Sequence, residues 1–141
     1  MSYYTHAAIV GVSIYAITFG VGLLTAVFSN TSLIPGMPIS PLFYAIQIAT
    51  IIVASALGTW WFFSKHPATK PLLHGALLGG AVAGIGFILD GLLLLPALLQ
   101  GMPLSVILGM YLSPLFALAL VSLIGTPAVT AWLVRRHTPH Q

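Results

Sequence analysis

The stretch LLHGALLGGAVAGIGFILDGLLLLPAL, residues 72 to 98, holds a single charged side chain. A bilayer core of about 30 Å is crossed by about 20 predominantly apolar residues in a helix, and this run is long enough to do so. Three further segments qualify. They are Ala7–Phe28, Pro41–Phe63, and a last one that ends at Val134 and begins between Leu104 and Pro114. The breaks between them, SNTSLIPGMPIS (29–40), SKHPATKP (64–71) and QGMP (100–103), carry Pro, Gly, Ser and Asn, the residues of turns.

Composition agrees. Of 141 residues, 59% are hydrophobic and 4% charged, and the mean hydropathy is +1.09. No water-soluble fold of this length hides that much apolar surface. The expected fold is an all-α, integral membrane four-helix bundle in one domain, residues 1–141. The first segment has no Lys or Arg before it and no small-x-small site after it, so a retained first span is expected rather than a signal peptide. With no cysteine, there is no disulfide, thiolate metal site or cysteine nucleophile. Four basic residues are too few for a nucleic-acid surface.

The positions of those basic residues predict the topology. Lys65 and Lys70 lie in the second connection, and Arg135 and Arg136 follow the last span. Under the positive-inside rule both termini are then cytoplasmic. Trp60, Trp61 and Trp132 precede these cations, as an inner aromatic belt would. Tyr44 and Tyr111 fall to the outer belt.

Several words recur. GMPIS (36–40) and GMPLS (101–105) occupy the outer connections, SPLF (40–43 and 113–116) opens spans two and four, and TWWFFSKH (59–66) and TAWLVRRH (130–137) close them. The chain reads as two tandem helical hairpins, 1–70 and 71–141, related by a pseudo-two-fold axis along the membrane normal. The second copy adds VILGMYL (106–112), which either extends the fourth span or forms a short helix of its own.

Span three carries small residues four apart: Gly75, Gly79 and Ala83 in one series, Gly80 and Gly84 in another. Ala16–Gly20 and Ala54–Gly58 repeat the spacing in spans one and two. Such series let helix backbones approach closely in lipid, either within one bundle or against a second copy or another membrane subunit.

Asp90 is the only acidic residue in the chain. It lies 18 residues past Leu72, roughly 27 Å along a helix, which places it in the outer third of the membrane. Every Lys and Arg is on the opposite side. Candidate partners at that depth are Gln47, Tyr44 and Tyr111, with Thr25 or Ser113. An intramembrane acid is a functional-site hypothesis, here a protonatable or cation-binding site; a polar clamp between helices is the structural alternative.

His6 and His74 both lie at cytoplasmic helix ends, so an axial pair for haem is a geometric option. Nothing flanking them supports it, and interfacial histidines explain them equally. His66, His137 and His140 sit among the cations or in the tail. One carboxylate without a thiol leaves too few ligands for a metal cage. No nucleophile elbow or phosphate loop appears, so neither an enzyme nor a cofactor is expected.

The pattern GFILDGLLLLPALL (86–99), a Gly-rich approach to a lone Asp-Gly in the third of four spans, resembles a family of small uncharacterised four-span bacterial inner-membrane proteins. The resemblance covers about a tenth of the chain. It implies location in that membrane and no particular activity. Small multidrug transporters are similar in size and span number, but they depend on an acid in the first span, where this chain has none. The leading expectation is a protein that acts by helix packing, as an accessory subunit or homo-oligomer in the lipid bilayer. The alternative is a proton- or cation-coupled transporter or channel component built on Asp90.

Overall fold

The computed structural model describes residues 3–29 and 40–137, and every regular element among them is an α-helix. The helices are α1 (Tyr3–Phe28), α2 (Pro41–Lys65), α3 (Pro71–Leu99), α4 (Leu104–Tyr111) and α5 (Pro114–His137). All but α4 are long and apolar enough to cross a membrane. The inserted VILGMYL therefore falls largely in a short helix of its own, set off from α5 by Leu112 and Ser113. Most of GMPIS, together with His140, lies outside the described residues.

Local chemistry sets the ends. The two SPLF words are helix starts. The Ser40 hydroxyl accepts from the Leu42 N–H (3.2 Å), and the Ser113 hydroxyl accepts from the Phe116 N–H (3.1 Å). Pro41 and Pro114 take the first helical position, where the missing N–H costs nothing. α3 ends in a Schellman motif: Met102 N–H reaches Ala97 O (3.1 Å) and Gly101 N–H reaches Leu98 O (3.0 Å). Gly101 sits at φ 91°, a left-handed position that favours glycine.

Side chains that meet across the helices give their directions. Gly75 and Gly79 of α3 face Pro127–Ala128 and Leu123–Ile124 of α5, so these two run antiparallel. Gly58 of α2 sits on Val10 and Ile14 of α1, and Gly22 of α1 on Gln47 of α2, so these two are also antiparallel. Gly11 of α1 meets Val82 and Ile85 of α3, and Tyr15 meets Gly86, so α1 and α3 run parallel. α2 packs along α5, whereas α2 and α3 barely touch. Around the bundle the order is α1, α2, α5, α3.

That order corrects the expected symmetry. A two-fold through the bundle centre places equivalent helices on the diagonals, whereas here α1 adjoins α3 and α2 adjoins α5. The two hairpins lie side by side in the same sense, and the His66–Lys70 connection crosses the diagonal. Gly11 and Gly86 let α1 seat against α3 at Val82, Ile85 and Tyr15, and the α3–α5 contact is the most extensive in the bundle. Pro127 is fully buried there and leaves the Leu123 carbonyl without its helical donor. Gly79 brings its backbone against that carbonyl, in a contact only a residue without Cβ permits.

The core joins Val10 and Ile14 (α1), Ala54, Phe62 and Phe63 (α2), Leu78 and Val82 (α3) and Ala131 (α5). Large apolar side chains such as Leu24, Leu57, Ile88 and Val121 point outward instead. In water that surface would aggregate; in hydrocarbon it is solvated, and the backbone is satisfied within each helix.

Candidate functional site

Asp90 sits one turn after Phe87 on α3, and its carboxylate is held from two other helices. The Tyr15 hydroxyl of α1 donates to Asp90 Oδ1 at 2.7 Å, and the Tyr111 hydroxyl of α4 also faces it. Each phenol is braced by rings. Tyr15 stacks on Phe19 (6.0 Å between centroids), while Tyr111, Phe87 and Phe116 form a triad with centroids 5.0–5.6 Å apart. The triad joins α3, α4 and α5 at one level. A carboxyl group with two phenols can share a proton among four oxygens or present them to a small cation.

Of the partners expected for Asp90, only Tyr111 is brought to it. Gln47 is engaged elsewhere: its amide reaches the α1 backbone, with the oxygen accepting from Gly22 N–H (2.9 Å) and the nitrogen donating to Thr18 O (3.2 Å). It clamps α2 to α1 where Gly22 leaves room for the amide. Tyr44 meets Phe43 edge to face, Thr25 bonds to Val21 O within its own helix, and Ser113 caps α5.

Tyr15 is the partner that the sequence does not point to, because neither helix's own sequence contains the offset between α1 and α3. Gly11, eight residues into α1, meets Val82 and Ile85, eleven and fourteen residues into α3. α3 therefore starts lower than α1, and Tyr15, whose ring touches Gly86, reaches Asp90 one turn further along α3. Tyr15 is 12 residues from the start of α1 and 13 from its end. Asp90 thus meets α1 near its middle, while on α5 the register that Gly75 and Gly79 set against Ala128 and Ile124 brings it level with the helix start at Pro114. One sequence signal was available: a tyrosine at mid-span carries a hydroxyl that needs a partner.

The small residues divide into two groups. Gly75, Gly79 and Ala83 are buried, the two glycines against the α5 backbone. Gly80 and Gly84 lie on a different face of α3, exposed, with nothing within 4 Å of an added Cβ among the described residues.

The four cations gather at the other end of the bundle. Lys65 lies over the Trp61 ring (4.5 Å) and Arg136 over the Trp132 ring (3.7 Å), while Arg135 donates to the Thr69 carbonyl. His6 does not pair with His74. Its Nδ1 is 3.0 Å from His66 Nε2, joining α1 to the end of α2. Among the described residues no three His, Cys, Asp or Glu side chains come together as metal ligands. The chain matches no protein-family model, no curated protein and no solved structure, so the helices and their contacts are the ground on which a function is argued.

Proposed function

We propose that the protein is a multi-pass membrane protein that works by helix packing, as a homo-oligomer or as an accessory subunit of a membrane assembly. The observation that carries this reading is the Gly80–Gly84 face of α3, which is shaped for close helix approach and has open space beside both glycines among the described residues. The basic end is the cytoplasmic one, with both termini on that side, as the positive-inside rule supports. The resemblance around Asp90–Gly91 favours the bacterial inner membrane. Duplication of a hairpin is supported by two recurrences: the Ser-Pro helix starts, and a cation seated over the tryptophan four residues earlier in both α2 and α5. The repeats are 1–70 and 71–141.

The test is the oligomeric state in mild detergent or nanodiscs, measured by light scattering. The native chain is expected to run as an oligomer or with a co-purifying partner, and Gly80→Ile/Gly84→Ile as a monomer of unchanged helicity. A native chain that is strictly monomeric and free of partners overturns the reading.

A second reading is favoured by the Tyr15–Asp90 contact: a proton- or cation-binding site in a small transporter or channel component. Asp90→Asn is then expected to abolish pH-driven ion movement in proteoliposomes while leaving expression and melting unchanged, with Tyr15→Phe causing a smaller loss. Movement of native magnitude in the Asn variant removes this reading.

A further inference from the structure

No Lys, Arg or His of the chain stands near enough to Asp90 to balance its charge. His6 lies in the first turn of α1, Lys65 and His66 end α2, Lys70 and His74 begin α3, and Arg135, Arg136 and His137 end α5. All of them are at one end of the bundle. Asp90 is level with the opposite end of α5, at Pro114, and α5 is about 36 Å long. Among the residues outside the described ranges only His140 has an ionisable side chain, and three residues of chain reach at most about 11 Å past His137.

What gathers at the carboxylate is aromatic. Tyr15 donates to Oδ1 at 2.7 Å, and Tyr111 faces it from α4. Phe87, three residues before Asp90 and so beside it on α3, packs on Tyr111 and Phe116 with centroids 5.5 and 5.6 Å away. Phe19 continues the Tyr15 side. The neighbours along α3, Leu89 and Gly91, add no polar side chain. Phe19 and Phe87 are 43% and 44% exposed, and Asp90 is itself half-buried, so the site is open at the flank of the bundle.

This surrounding selects among cations. A divalent metal ion takes about six to eight oxygens, and the carboxyl with its two phenols offers four. An alkylammonium needs fewer oxygens and makes use of rings. Its charge pairs with one carboxylate, while its N-methyl or N-methylene groups lie against aromatic faces, which carry partial negative charge. A site open at the flank also lets the rest of the ligand stay in hydrocarbon.

We propose that Asp90, Tyr15 and the Phe87–Tyr111–Phe116 triad bind an alkylammonium group carried on an apolar body. The inference rests on the reading of Asp90 as a cation site and names the class of that cation. Asp90 supplies the charge, and the rings favour a carbon-substituted nitrogen over a bare metal ion. The same chemistry occurs in a soluble organic ammonium and in the choline headgroup of a phospholipid.

The probe is benzyltrimethylammonium, with binding to the purified protein in a non-ionic detergent measured by equilibrium dialysis against protein-free micelles. The native protein is expected to retain it. Asp90→Asn should weaken binding about tenfold or more, as loss of a charge pair implies. Phe87→Leu, which keeps apolar bulk without the ring face, should weaken it about threefold or more. Circular dichroism melts of both variants check that they are folded. Choline should displace the probe, and neohexanol, its uncharged carbon counterpart, should not. If short-chain phosphatidylcholine also displaces it and phosphatidylglycerol of the same chain length does not, the lipid headgroup is a source. If neither lipid does, the source is a soluble ammonium. Displacement by both lipids or by neohexanol, or binding that a folded Asp90→Asn or Phe87→Leu leaves unchanged, overturns the proposal. A native protein that moves protons or sodium through Asp90 yet holds no benzyltrimethylammonium overturns the ammonium class alone and leaves the cation site standing.

Discussion

Replacing Gly75 and Gly79 together with alanine is expected to destabilise the bundle by about 3 kcal/mol or more, since overpacking a tight contact costs about 1–3 kcal/mol per site. The added Cβ at Gly75 meets the α5 backbone at Pro127 and, 2.6 Å away, Ala128 Cα. At Gly79 it meets Leu123 O at 2.6 Å and Ile124 Cα at 2.8 Å. These are backbone atoms, which cannot rotate aside as a side chain can, so α3 must back away along its length. Thermal unfolding in detergent, followed by circular dichroism, reads the loss. Gly80→Ala/Gly84→Ala is the matched control: the same residues on the same helix, with open space at both positions. That pair is expected to leave the melting of the monomeric unit unchanged or slightly raised, as alanine is the better helix former by roughly 0.5–1 kcal/mol. If the two pairs destabilise equally, the assigned α3–α5 contact is wrong.

The second large effect is expected at Phe62→Ala. Phe62 is fully buried among α1, α2 and α5 and packs edge to face on Phe63 at 5.0 Å. In a water-soluble core the change costs about 3–5 kcal/mol, part transfer and part cavity. In a bilayer the transfer part shrinks, because separated helices keep the ring in hydrocarbon. What remains is the cavity, and for about 100 Å³ at roughly 24 cal/mol per Å³ it is about 2–3 kcal/mol. Trp60→Ala, on an outward-facing neighbour of similar size, is expected to cost well under half of that in the same melting experiment. A Phe62→Ala variant that melts with the native protein refutes the placement of this ring in the core.

The long helices are legible because their signals are local: an apolar run of sufficient length in all four, a Ser-Pro start in α2 and α5, and a glycine end in α3. Gly75 and Gly79 were legible as packing residues for the same reason, their spacing being local. What local spacing does not contain is the vertical offset between helices. Depth along the sequence offers Gln47 as a partner for Asp90, but α2 and α3 stand on a diagonal of the bundle and barely touch, so the amide turns to α1 instead. Tyr15 became its partner through the register that Gly11 sets against Val82 and Ile85. Nor does spacing say which glycine series faces inward, since Gly79 and Gly80 are adjacent, about 100° apart around the helix, and only the first meets α5. The fourth span was ambiguous at its start because Leu104–Tyr111 is as apolar as the helix it precedes. Only the Ser113 cap separates them.

The unequal helix lengths bear on how the protein meets bilayers of different thickness. α3 has 29 residues, about 43 Å at 1.5 Å each, while α5 has 24, about 36 Å, against a hydrocarbon core of about 30 Å. α3 is thus the helix with the largest hydrophobic mismatch and must tilt to stay immersed, more in a thin membrane than in a thick one. α5 is tied to α3 by the glycine contact, and the Phe87–Tyr111–Phe116 triad joins both to α4 just beside Asp90. A change in α3 tilt therefore bears on that joint, which makes lipid chain length a mechanical input to the one acidic group of the protein.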